Sequence, residues 1–124
     1  DVLRARIERE GLPGVEARLG RHDDPGLEAG AYDLILMVDV YHHVADPPGF
    51  LAHVLRALTP DGRFVVVDFP PGDSVPVPIA SPAHRIAKER VIADAEAAGL
   101  ELLREHEFLR YQFFLELGRA SNAP

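Results

Sequence analysis

The sequence contains no cysteine among its 124 residues. Disulfide bridges, thiolate metal sites and cysteine nucleophiles are therefore excluded. One domain is expected over residues 1–124, because domains cluster at about 100–150 residues. With 47% hydrophobic and 27% charged residues, the composition is close to the globular average and predicts a packed core.

Basic residues are scarce, with 13 Lys and Arg against 20 Asp and Glu, for a net charge of −7. This charge disfavours nonspecific binding to nucleic acid or anionic membranes, so we expect a small-molecule substrate instead. The first six residues do not resemble a signal peptide. No apolar run approaches the roughly 18 residues that a membrane span needs. These observations predict a soluble, cytoplasmic protein.

Two short segments are apolar without alternation, from Leu34 to Val38 and from Phe64 to Val67. Such runs are typical of strands that are covered on both faces, as in a parallel sheet. Between them, apolar residues recur at helical spacing from Phe50 to Leu58, after two prolines that a first helical turn tolerates. The turn Thr59 to Gly62 then leads into the second strand. The pattern predicts a strand, a helix and a parallel strand joined by a right-handed crossover.

The flanking segments predict an α/β domain with an antiparallel end. Their apolar periodicity and turn residues predict an opening helix from Asp1 to Glu10 and a half-exposed edge strand from Val15 to Leu19. A proline-rich loop is expected from Pro70 to Pro82, and a second helix from about Ala87 to Ala98. A final hairpin is expected from the strands Leu100 to Phe108 and Tyr111 to Leu117.

Two motifs carry a family resemblance. The first is YDLILMVDVYHHV at residues 32–44, followed by Asp46-Pro47, and the second is LRALTPDGRFVVVD at residues 55–68. Together, and at this spacing, they resemble class I S-adenosylmethionine-dependent methyltransferases. Asp61 departs from the family, which usually has a second glycine there. The resemblance implies a doubly wound, Rossmann-like, mostly parallel sheet with a C-terminal antiparallel hairpin. It also implies methyl transfer from S-adenosylmethionine to a small-molecule acceptor.

A larger departure is the absence of the family's glycine-rich loop, which holds the methionine end of the cofactor. Gly11, Gly14 and Gly20 do not follow a buried strand, so they do not form that loop. The family's acidic ribose ligand at the end of the second strand is also absent. We therefore expect a partial domain that lacks the first two strands. Upstream sequence, a partner chain or self-association would then complete the sheet.

Two loops are candidates for cofactor binding. His22, Asp23 and Asp24 occupy the loop that, by the resemblance, passes the adenine ring, although a solvated acidic turn is an equal alternative. Asp39 and Val40 follow the central strand at its carboxyl end, where ligands of open α/β sheets bind. Because Asp39 ends a very apolar strand, its carboxylate needs a partner or water to offset desolvation. We expect these two loops to lie side by side.

His42 and His43 are the candidate catalytic residues, and Tyr41 beside them is a candidate substrate contact. Methyl transfer needs a base only if the acceptor must lose a proton, and a histidine that titrates near neutrality suits this role. The alternative is that these histidines serve packing or substrate shape. We predict no metal site, because adjacent histidines usually diverge and no third ligand lies nearby in sequence.

Further substrate contacts are predicted at His84, Arg85 and Tyr111, which lie at the variable end of the fold. A capping histidine, a surface arginine and a partly exposed hairpin tyrosine are the structural alternatives. Phe108, Phe113 and Phe114 are expected in the core, because the acidic net charge argues against a platform for single-stranded nucleic acid.

Three other functions compete with this interpretation. A phosphoacceptor receiver domain would need an earlier acidic pair and a lysine after its fifth strand, whereas the only lysine is Lys88 in a predicted helix. A nicotinamide-dependent dehydrogenase would need phosphate-binding glycines, which are missing. A noncatalytic α/β fragment or binding module stays open because of the expected missing strands.

Overall fold

The computed structural model describes residues 2–21 and 23–121, which form three helices, four strands and two 3₁₀ turns. In chain order they are α1 (Val2–Arg9), β1 (Tyr32–Val38), a first 3₁₀ turn (Tyr41–His43), α2 (Pro47–Ala57), β2 (Leu58–Asp68), a second 3₁₀ turn (Pro82–His84), α3 (Lys88–Ala97), β3 (Leu100–His106) and β4 (Phe113–Arg119). No helix within these described residues is long and apolar enough to cross a membrane.

The strands form one sheet in the order β1-β2-β4-β3. β1 and β2 are parallel, and α2 connects them, as the sequence predicts. β4 is antiparallel to both β2 and β3, which confirms the C-terminal hairpin. Because the hairpin inserts its second strand next to β2, the described sheet is mixed and not mostly parallel.

The core lies between this sheet and the two helices α2 and α3. Leu51 and Val54 of α2, Val91 of α3, and Phe64 and Val66 of β2 are each no more than 1% exposed. The helical spacing that predicts these inner faces is therefore confirmed. Burial of each such side chain contributes about 1.5–3 kcal/mol to folding.

The prediction of an edge strand from Val15 to Leu19 is wrong, because these residues have no strand structure. A strand exists only when its backbone pairs with a neighbour, and none of the described strands pairs with this segment. Side-chain bonds hold it instead, since Arg18 bonds Glu28 at 2.9 Å and the hydroxyl of Tyr32 at 3.1 Å.

The turn expected from Thr59 to Gly62 lies inside β2 as an irregularity in its pairing. Tyr32 pairs with Leu58, whereas Leu34 pairs with Arg63, so the intervening residues of β2 bulge from the ladder. A Cβ on Gly62 would lie 2.9 Å from the carbonyl oxygen of Tyr32. Glycine at this position permits that close approach.

β1 occupies one edge of the described sheet, and one of its faces is open. Ile35 and Met37 pack against the core, whereas Leu34, Leu36 and Val38 are 57%, 55% and 46% exposed. Within the described residues, β1 is therefore covered on only one of its two apolar faces.

Candidate functional site

The site is built at the carboxyl ends of β1 and β2, which meet because the strands are parallel. Asp39 follows β1 directly, and its backbone N–H donates to the carbonyl of Val67 at 2.8 Å. Its φ of 59° lies in the left-handed region, which costs energy in most residues other than glycine. The side chain of Gln112 donates to Asp39 Oδ1 at 2.7 Å. Asp39 is partly buried, and Gln112 is the partner of its carboxylate.

His42 and Asp68 form a buried pair beside Asp39. The carboxylate of Asp68 is fully buried, and His42 Nδ1 lies 3.0 Å from both of its oxygens. The backbone N–H groups of His42 and Phe69 also donate to Asp68, at 3.2 and 2.8 Å. A buried carboxylate needs such donors to offset its desolvation. The contacts orient the imidazole so that Nδ1–H faces Asp68 and Nε2 is the acceptor.

The free nitrogen of His42 is buried without a protein partner. The His42 side chain is 4% exposed, and Nε2 has no hydrogen-bond partner among the described residues. Buried polar atoms are rarely left in this way, and exceptions call for an explanation such as a catalytic role or a bound group.

The rings of His42, His43 and His84 converge. The His42 ring centroid lies 4.1 Å from that of His43 and 5.3 Å from that of His84, and the His43 and His84 centroids are 5.5 Å apart. One ring nitrogen from each residue lies within 4.8 Å of the others. The prediction of no metal site assumed that the adjacent histidines diverge and that no third ligand lies near them. The structure contradicts both assumptions. A 3₁₀ turn holds the first two together, and the proline-rich loop returns the third to them.

Two cavities flank this cluster. The first, of about 250 Å³, is lined by Asp39, His42 and His84 together with Phe69, Ile79, Ala80 and Ser81. The second, of about 270 Å³, is lined by Asp23, Met37, Val40, His43, Val44, Ala45, Asp46 and Phe50. Asp23 and Val40 line one cavity, which confirms that the two predicted cofactor loops lie side by side.

The three residues predicted to bind the cofactor in the first loop, His22 to Asp24, have different outcomes. His22 lies outside the described residues. Asp24 accepts a hydrogen bond from the backbone N–H of Gly26 at 2.8 Å, and this bond holds its pKa below the ordinary value. Asp24 therefore closes a local turn, in agreement with the structural alternative, whereas Asp23 faces the second cavity.

The structure places Tyr41, a predicted substrate contact, in the core. Tyr41 is 1% exposed and belongs to the core cluster, and its hydroxyl donates to Asp94 of α3 at 2.9 Å. Burial, followed by this hydrogen bond, raises the pKa of the phenol. The 3₁₀ turn directs Tyr41 inward, and this anchor holds the adjacent His42 in place.

Arg85, another predicted substrate contact, is bound to the proline-rich loop. Its guanidinium donates to the backbone carbonyls of Gly72, Val75 and Ala80 at 2.6 to 3.2 Å. These bonds use four of its five N–H donors and fix the loop that precedes His84. Tyr111 lies apart from the histidines, in a cavity of about 380 Å³ with Pro70 and Lys88. Its substrate contact stays a prediction.

Sequence reasoning missed Asp68 as a site residue, and it named Gln112 only as a substrate contact beside Tyr111, not as the partner of Asp39. Asp68 ends an apolar strand just as Asp39 follows one, so the same desolvation argument applied to it. Gln112 follows Tyr111, but its bond to Asp39 depends on the placement of β4, for which the sequence carries no local signal.

Comparison with known proteins identifies the family. Residues 1–114 match the family model described as "Methyltransferase domain". An uncharacterized 37.1 kDa protein in transposon TN4556 of Streptomyces fradiae is 41% identical over 76 residues, which cover 61% of this chain and 22% of that protein.

Two solved structures share the fold. A SAM-dependent methyltransferase from Aquifex aeolicus superposes with a TM-score of 0.78 at 23% identity, over 91% of this chain and 59% of that chain. The mitomycin 7-O-methyltransferase MmcR superposes with a TM-score of 0.75 at 19% identity, over 94% of this chain and 38% of that chain. This chain therefore spans less than two thirds of the length of each of these three proteins. It belongs to the methyltransferase-domain family and has the fold of S-adenosylmethionine-dependent methyltransferases.

Proposed function

We propose that this chain forms one wall of an S-adenosylmethionine-dependent methyltransferase site, and that the complete protein methylates a hydroxyl oxygen of a small molecule. By complete protein we mean this chain together with the structure that completes its sheet beside β1. The observation that carries the proposal is the buried Asp68–His42 pair: His42 lines the cavity shared with Asp39 and His84, and its Nε2 has no partner among the described residues.

The residues of the second cavity fit the adenine end of the cofactor. Met37, Val44 and Phe50 give it apolar walls that suit a flat heteroaromatic ring. The carboxylate of Asp23 can accept a hydrogen bond from an exocyclic amine, and Val40 lies beside it. S-adenosylmethionine, when bound, supplies a methyl group on a sulfonium centre.

The methionine end of the cofactor needs contacts that this chain lacks, because no glycine-rich loop precedes β1 in these 124 residues. The open edge and exposed outer face of β1 lie where such contacts would be added. Upstream sequence, a partner chain or a second copy of this chain would supply them.

His42 acts as the general base in this proposal. A new bond forms between the acceptor oxygen and the methyl carbon, the sulfur–methyl bond breaks, and the hydroxyl proton passes to His42 Nε2. Asp68 stabilises the imidazolium that results and fixes the tautomer beforehand. His43 lines the adjoining cavity and stays a candidate for positioning either substrate.

A small-molecule acceptor is supported by the size and charge of the site. The cavity next to His42 has a volume of about 250 Å³, and the chain carries a net charge of −7, which disfavours a nucleic-acid substrate. The similarity to an O-methyltransferase of mitomycin is consistent with a hydroxyl acceptor.

Transfer of a labelled methyl group from S-adenosylmethionine to a panel of phenols and alcohols tests the proposal in the complete protein. We expect transfer to at least one hydroxyl acceptor and a loss of about 10²-fold in turnover for His42→Ala. His53→Ala, on α2 outside the cluster, is the matched control and should retain turnover. Binding of the cofactor without transfer to any hydroxyl acceptor would favour the noncatalytic alternative.

A further inference from the structure

We infer that His42, His43 and His84 form a binding site for one divalent transition-metal ion, with Zn²⁺ the ion that best fits three imidazole ligands. This inference goes beyond the proposed methyl transfer, which does not require a metal. It rests on the convergence of the three rings and on the unpartnered, buried Nε2 of His42.

The cluster supplies the donor set of an open zinc site. Three histidine nitrogens with a fourth position for water or substrate are one of the arrangements found in catalytic zinc sites. The three nitrogens lie within 4.8 Å of one another, compared with about 3.4 Å for a tetrahedral site with bonds of about 2.1 Å. His43 and His84 are exposed, so rotation of their side chains can close this difference.

His42 already has the outer contact that metal-binding histidines require. Such histidines almost always donate their second ring nitrogen to a carboxylate or a carbonyl, which fixes the tautomer and aims the ligand. Nδ1 of His42 lies 3.0 Å from the buried carboxylate of Asp68. The nitrogen left for a ligand is therefore Nε2, the atom with no protein partner among the described residues.

The backbone around the other two ligands is also fixed. The N–H of His43 donates to the carbonyl of Val40 at 2.9 Å, and the N–H of His84 donates to Ser81 at 3.0 Å. Arg85, the next residue, bonds three carbonyls of the preceding loop. Two separate chain segments are thus held so that their imidazoles meet, and a metal ion would join them.

A bound ion would change how the acceptor loses its proton. His42 Nε2 cannot bind a metal and accept a proton at the same time. In the loaded site, an acceptor hydroxyl in the open coordination position would lose its proton more readily through contact with the cation.

Calorimetric titration of the tag-free chain with Zn²⁺ tests the inference. We expect one ion per chain, and affinity at least 100-fold weaker for His84→Ala. Asp68→Asn should weaken binding by about 10–100-fold, as loss of an outer carboxylate does. His53→Ala and His106→Ala remove histidines outside the cluster and should leave the affinity unchanged.

Because His84 is exposed, its replacement leaves the fold intact, which circular dichroism would verify. Light scattering during the titration shows whether the ion instead joins two chains. Absence of Zn²⁺ binding, equal losses in His84→Ala and His53→Ala, or binding only between chains would each overturn the inference. None of these results depends on methyl transfer, so a failure of this inference is distinguishable from a failure of the proposed function.

Discussion

At the scale of single residues, the site depends on a carboxylate that sits where the sheet ends. Asp68 is the last residue of β2 and is fully buried, with bonds from two backbone N–H groups and from His42. These donors offset the cost of burying the carboxylate in the core. These contacts orient the His42 imidazole and leave its Nε2 without a partner among the described residues.

Replacement of Asp68 by asparagine tests this positioning role. The amide has nearly the same shape but favours the opposite imidazole tautomer, so Nε2 would carry the proton and could not accept one. We expect turnover of the complete protein to fall by about 10²–10⁴-fold with little change in KM. A variant with unchanged kcat would show that Asp68 is structural only.

Tyr41 shows how a residue next to the site contributes to stability instead of binding. Burial raises its pKa above the ordinary value of 10.0, so the folded state holds the phenol proton more tightly than the unfolded chain does. The resulting contribution of Tyr41 to the free energy of unfolding is fully present below about pH 10, and it is lost as the pH rises towards the pKa of the folded state.

The variant Tyr41→Phe should therefore be less stable at neutral pH, by about 0.5–1.5 kcal/mol for the lost bond to Asp94. Its stability should also fall less than that of the unaltered chain between about pH 9 and pH 11. Urea unfolding at both pH values measures this difference. Parallel losses in the two proteins would contradict the assigned cause.

At the scale of elements, the apolar periodicity of the sequence predicts the helices that pack on the core, but it does not predict which segments pair as strands. Helices α2 and α3 follow from apolar residues at helical spacing, and their inner faces are the observed core. The segment from Val15 to Leu19 alternates as a strand does but has no partner among the described strands. Alternation of apolar and polar residues indicates which side chains would face a core, whereas a strand also needs a neighbouring backbone with which to form hydrogen bonds.

The bulge in β2 gives a prediction at this scale. Gly62→Ala would place a Cβ 2.9 Å from the Tyr32 carbonyl oxygen and 3.1 Å from that of Thr59. Backbone atoms cannot move aside as side chains do, so we expect a loss of roughly 1–3 kcal/mol. Gly14→Ala has nothing within 4 Å and serves as the control. Equal urea midpoints for the two variants would contradict the register at Gly62.

The site shows the same division between local and long-range information. The motif around His42 and His43 indicates the family, and Asp39 follows from its position after an apolar run. The meeting of His84 with these histidines depends on a loop that Arg85 folds by bonds to three carbonyls. The link from Gln112 to Asp39 spans 73 positions of sequence. Local patterns contain no information about such contacts.

At the scale of the whole molecule, β1 lies at an edge of the described sheet, and one of its apolar faces is open within the described residues. Leu34, Leu36 and Val38 of β1 are about half exposed, although strands of this composition are usually covered on both faces. The chain spans 59% of the Aquifex aeolicus methyltransferase and 38% of the mitomycin enzyme. We therefore expect the cofactor to need both this chain and the structure that covers β1.

Calorimetric titration with S-adenosylhomocysteine, of the chain alone and of the complete protein, tests this account most directly. Sedimentation should first establish that the chain sample is folded and monomeric, because its open edge favours association. We predict micromolar or tighter binding to the complete protein and no measurable binding to the monomeric chain. Micromolar binding to the monomeric chain, or none to the complete protein, would contradict the claim that this chain supplies one wall of a shared cofactor site.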